Sequence, residues 1–118
     1  MNEQLHMVTD DLNEAIKEFE DAILKQGLGV PATVPMLDGE KLTYGKLGNQ
    51  WRLIFETESG ESVPLLSASR GVRVQAVAYL PELLKALDAA YSRTLCEVIN
   101  AAQSVRSLTR ELKKDMKP

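Results

Sequence analysis

Ser67, Ser69, Arg70 and Arg73 fall within one seven-residue stretch, between an extended apolar run and an alanine-rich one. If Ser67 or Ser69 caps a helix there, the free N–H groups of its first turn and the helix dipole favour an anion. Arg70 and Arg73 would add charge-assisted hydrogen bonds to a phosphate- or nucleotide-like ligand. Arg52, on the outward face of a preceding strand, could join them. The competing reading is an N-cap beside solvated arginines, and the spacing alone does not separate the two.

Little else in the chain could carry chemistry. There is one histidine, His6, and one cysteine, Cys96. A metal site needs several converging ligands. A thiol nucleophile needs a base and an electropositive setting. Packing of the two terminal helices could bring His6 to Cys96, but Cys96 reads first as a small apolar residue of a helix. Neither a phosphate-cradling glycine loop nor a dinucleotide fingerprint occurs. The expectation is therefore no catalytic residue, no cofactor and no metal, and an activity other than catalysis. Tyr44 and Trp51 read as core neighbours across a hairpin. Aromatic residues make up 5% of the chain, too few for a base-stacking platform.

The elements that must hold these residues begin with a helix over 2–26, with Asn2 as N-cap. Leu5, Val8, Leu12, Ala15, Phe19 and Ala22 share one face, which Ile16 and Ile23 widen. Gly27 and Gly29 end it, and 27–38, with Pro31 and Pro35, reads as a linker. A three-stranded antiparallel meander follows over 39–66. Gly45 suggests a bulge, and Gly48-Asn49 a two-residue hairpin loop. In the next strand Trp51, Leu53 and Phe55 point to one face, and Arg52, Ile54 and Glu56 to the other. Glu58-Ser59-Gly60 is a turn. Pro64 places the last strand at an edge.

Residues 69–80 fit two patterns. Val72, Val74, Ala76, Ala78 and Leu80 alternate like a strand, whereas Val72, Ala76, Tyr79, Leu80 and Leu83 step like a helix. The alanines favour a short helix. Pro81 then kinks the chain or restarts it at a first helical turn, and 81–114 reads as one long helix. Its stripe is Leu84, Leu87, Tyr91, Thr94, Val98, Ala101, Val105, Leu108 and Leu112, in alternating steps of three and four. The expected fold is α+β: first helix, meander, then a Pro-kinked C-terminal helix packed on the first helix and the Trp51 face.

The run Val74-Gln75-Ala76-Val77-Ala78-Tyr79-Leu80-Pro81-Glu82-Leu83-Leu84-Lys85-Ala86-Leu87 resembles a segment of small phage and prophage proteins of unknown function. In those, an alanine-rich helix leads into a Pro-Glu-Leu-Leu helix. The resemblance spans residues 74–87, and Val and Tyr stand where small residues are usual. It implies helix over strand and a mobile-element origin, and it carries no activity and no functional residue.

At 118 residues the chain makes one domain with a single core. Its net charge of −3 argues against generic affinity for nucleic acid or anionic membrane. No apolar run approaches the ~20 residues of a membrane span, and the first residues lack the basic and apolar regions of a signal peptide. With a lone cysteine, these points suggest the cytoplasm. Charge is uneven along the chain. Residues 1–26 hold seven acids and two lysines. From Gln103 onward, Arg106, Arg110, Lys113, Lys114 and Lys117 face only Glu111 and Asp115. The long stripe suggests a homo-oligomer, a twofold dimer in its simplest form, acting as a protein-interaction or regulatory module. The anion site around Ser67–Arg73 is one alternative. Weak nucleic-acid binding by the basic C-terminal end is another.

Overall fold

The computed structural model describes residues 2–116, and the side chains of residues 3–116. The Asn2 cap and Lys117 therefore lie outside the described side chains. The element order is helix α1 (Asn2–Gln26), strands β1 (Ala32–Pro35), β2 (Lys41–Leu47), β3 (Gln50–Glu56) and β4 (Ser62–Pro64), and helices α2 (Arg70–Val77) and α3 (Leu80–Met116). The fold is α+β.

The sheet is antiparallel, with strand order β1-β2-β3-β4. It thus has four strands instead of the expected three. The extra one, β1, lies inside the segment read as a linker. Its register pairs Ala32 with Tyr44 and Pro35 with Lys41. Proline lacks a donor and is tolerated at an edge, and both edge strands of this sheet carry one, Pro35 in β1 and Pro64 in β4. Gly45 makes no bulge, because β2 and β3 pair without interruption from Lys41↔Glu56 to Leu47↔Gln50. Gly48 takes the left-handed conformation (φ +66°) that the two-residue Gly48-Asn49 loop demands of its first position.

Period-two alternation decides which face is buried. Val34, Leu42, Tyr44, Leu53 and Phe55 form one apolar face. Ile16 and Ile23 of α1, Leu65, Ala76 of α2, and Leu83 and Leu87 of α3 close over it. On the opposite face the Thr33 and Thr43 hydroxyls share a 2.9 Å hydrogen bond across β1 and β2. The helices cover the apolar side that the sheet by itself would leave in water.

Residues 69–80 resolve to a helix and a turn. Ser69 Oγ accepts the Val72 N–H at 3.3 Å and caps α2. Ala76, fully buried, sits where a bulkier side chain would meet the core. The chain then turns through Ala78 and Tyr79, and α3 starts anew at Leu80 with Pro81 in its first turn. Proline there breaks the path between two helices and does not kink a continuous one, because the N–H it lacks is one that a first turn leaves unpaired anyway. The segment 74–87 straddles this break and carries the core residues Ala76, Leu83 and Leu87.

The two long helices pack chiefly on the sheet and less on each other. α3 rests on β1 and β2, and α1 on β3 and the turn at Leu65–Ser67. The helices meet at a recess lined by Phe19, Ala22, Ile23, Gln26 and Leu84.

Candidate functional site

The apolar stripe of α3 divides into two parts. Leu83 and Leu87 are 0% and 1% exposed and belong to the chain's own core. Four and seven residues on, Tyr91 and Thr94 emerge from the sheet. Val98, Val105, Leu108 and Leu112 then stand 60%, 61%, 64% and 61% exposed. Leu95, Ile99 and Met116 are exposed as well. α3 has 37 residues, ~55 Å at 1.5 Å per residue, and its last ~32 Å, from Leu95 to Met116, projects from the body as an arm.

The dimensions express the same fact. The molecule measures 85 × 28 × 24 Å, with a radius of gyration of 20.5 Å. A compact chain of this length would have about 13.5 Å. Single exposed leucines are ordinary, but a continuous apolar row along one face of a projecting helix is not. Most helical stability in proteins comes from packing an apolar face.

The side chains of the anticipated anion site are dispersed. Ser69 Oγ is engaged in capping α2. Arg73 reaches back to α1, donating through Nη1 to Asn13 Oδ1, while its Nε is buried without a partner. Arg70 borders a recess of about 390 Å³ with Leu5, Val8, Thr9, Leu12, Gly71 and Val74, an apolar lining. Arg52 lines a different recess, with Glu20, Asp21, Leu24 and Trp51. Ser67 is exposed in the turn before α2. The structure gathers Ser69, Arg70 and Arg73 on one short helix and leaves Arg52 elsewhere.

Cys96, which the sequence reads as a small apolar residue of a helix, is exposed on the arm, and His6 is exposed near the start of α1. Among the described residues no cluster of three or more His, Cys, Asp or Glu side chains is placed to hold a metal ion, and no helix is long and apolar enough to cross a membrane. No protein-family model, curated protein or solved structure significantly matches the chain.

One polar contact went unanticipated. Glu20 Oε2 accepts the Leu53 backbone N–H at 2.8 Å. β4 ends opposite Ile54, so Leu53 lies one residue beyond its pairing and a carboxylate from α1 supplies the acceptor instead. Tyr44, cross-strand from Leu53, stacks on Trp51 with ring centroids 5.5 Å apart. Lys46 Nζ lies 5.7 Å from the centre of the Trp51 ring. Burial, and secondarily the Glu20 carboxylate, push the Tyr44 phenol above its usual range. Of these contacts, the Glu20–Leu53 bond is the one that fastens α1 to the sheet.

Proposed function

We propose that this chain is a non-catalytic interaction protein that self-associates, as a homodimer in the simplest case, through the apolar side of its arm. The exposed row Val98–Val105–Leu108–Leu112 carries the reading: it continues, unbroken, the face that Leu83 and Leu87 bury inside the body. Apolar area removed from water contributes ~25 cal/mol per Å². Covering that row would therefore recover a gain that the chain by itself leaves unrealised.

Less supports the alternatives. An anion at α2 would compete with the Ser69 cap and meet Arg70 beside an apolar recess. Nucleic-acid binding would rest on Arg106, Arg110, Lys113 and Lys114, a short basic row on a chain of net charge −3.

The test is absolute mass by light scattering at tens of micromolar. The expected result is twice the 13.1 kDa of one chain or a higher multiple. A Val105→Asp/Leu108→Asp variant should scatter as a monomer with an unchanged circular-dichroism signature of the body. A monomeric parent chain would sink self-association.

A further inference from the structure

The outer stripe of α3 keeps the bearing of the inner one. At ~100° per residue, Val105 stands about five whole turns beyond Leu87, and Val98, Leu112 and Met116 fall within about 20° of it. Leu83 and Leu87 face the sheet: both belong to the core cluster, and α3 rests on β1 and β2. The stripe on the arm therefore looks out on the side where the sheet lies, past the sheet's end.

The arm leaves enough surface for a stable pair. The chain exposes 8623 Å². A compact monomer of 13.1 kDa would expose about 6,400 Å². The excess, ~2,200 Å², is well above the roughly 800 Å² that each partner contributes to a standard stable interface.

The bearing of the stripe decides the direction of the pair. A helix seated on it lies about 8–10 Å from α3, on the side that the sheet occupies along Leu83 and Leu87. In an in-register parallel pair, the first turns of the second copy's α3 would have to pass through the space that β1 and β2 fill. An antiparallel pair avoids this collision. Each arm then runs along the other's stripe and stops where the other's sheet begins, and the two bodies sit at opposite ends.

Side-chain size along the stripe favours the same direction. Thr94 and Ala101 are its small members, and Leu108 and Leu112 its large ones. Facing layers pack best when large side chains meet small ones. A parallel pair sets Thr94 on Thr94 and Ala101 on Ala101. An antiparallel pair centred level with Gln103 sets Leu112 on Thr94, Leu108 on Val98 and Val105 on Ala101. The twofold operation covers both stripes at once and leaves neither free to propagate.

Resting on the self-association reading, we infer that the occupant of the stripe is the arm of a second copy, laid antiparallel, with Leu112 of each chain against Thr94 of the other.

Disulfide trapping in a Cys96→Ser background tests this. Thr94→Cys and Leu112→Cys chains are prepared separately, mixed, and oxidised mildly. Antiparallel arms predict a covalent dimer in the mixture and none from either variant alone, since like positions then lie ~27 Å apart. A covalent dimer from Leu112→Cys alone would establish parallel arms and overturn the inference. So would the absence of trapping in a mixture that light scattering shows to be dimeric. Small-angle X-ray scattering of the unaltered chain gives a reading that needs no substitution. Bodies at opposite ends make the dimer much longer than the 85 Å of one chain, whereas a dimer no longer than that would overturn the antiparallel arrangement. A monomeric mass for the unaltered chain would fail the self-association reading itself, and the arrangement with it.

Discussion

The Glu20 carboxylate and the Leu53 backbone N–H, 33 positions apart in the chain, form a 2.8 Å hydrogen bond that joins the first helix to the second-to-last strand. The bond exists because β4 is too short to serve Leu53. It makes a helix side chain part of the sheet's hydrogen-bonding scheme, and so fixes the axial position of α1 over the Leu53–Phe55 face.

Removing that acceptor leaves a partly buried donor unpaired, which costs about 1–3 kcal/mol. Glu20→Leu should lower the free energy of unfolding by that amount in urea titration. Glu20→Gln keeps an oxygen in place and should lose less than about half as much. Equal losses for the two would mean that charge, and not the bond to Leu53, is what matters at this position.

Tyr44 gives the fold an alkaline limit. Its phenol is held above the usual range, so the native state favours the neutral form. Stability from this group is intact below the unfolded value of about 10 and is lost as pH rises through the higher folded value. Melting curves between pH 7 and pH 11 should show a steeper alkaline decline for the parent chain than for Tyr44→Phe. Indistinguishable slopes would remove Tyr44 as the cause.

The two halves of the α3 stripe should respond oppositely to truncation. Leu83→Ala opens a cavity in a fully buried site and should cost about 2–5 kcal/mol. Leu108→Ala, at a concentration low enough to keep chains apart, should stay within about 0.5 kcal/mol of the parent. At high concentration Leu108→Ala should instead weaken association, visible as a falling scattering mass on dilution.

Ser69 closes the first turn of α2. Ser69→Ala should cost about 1 kcal/mol, read as an earlier chemical midpoint, whereas Ser69→Asp should retain the cap and the stability. A panel of phosphate and nucleotides added to the parent chain should leave its melting temperature unmoved. A rise abolished by Arg70→Ala would revive a ligand at this helix.

The sequence displayed the parts of the fold whose signal is local. The alternation Trp51-Leu53-Phe55, the Gly48-Asn49 loop and the edge position of Pro64 each follow from neighbouring residues. β1 did not, because Ala32–Pro35 offers only two alternating apolar side chains between prolines; its strand character comes from pairing with β2. The Glu20 contact was equally hidden, since nothing in a helix sequence marks one carboxylate among seven acids as the acceptor for a distant strand. The α3 stripe was visible in full. Periodicity records which residues share a face, however, and not what that face meets. Leu87 and Val98 are alike in pattern and opposite in surroundings.

The uninterrupted passage of α3 from core to arm makes residue count an angular index. Each residue turns the helix by ~100° and advances it ~1.5 Å. One residue inserted between Tyr91 and Leu95 would leave the core positions of Leu83 and Leu87 in place and swing the whole outer stripe a quarter-turn or more away from its present bearing. Seven would nearly restore that bearing but set the stripe ~10 Å farther out. The bearing of anything held by the arm is thus written in the number of residues between body and arm.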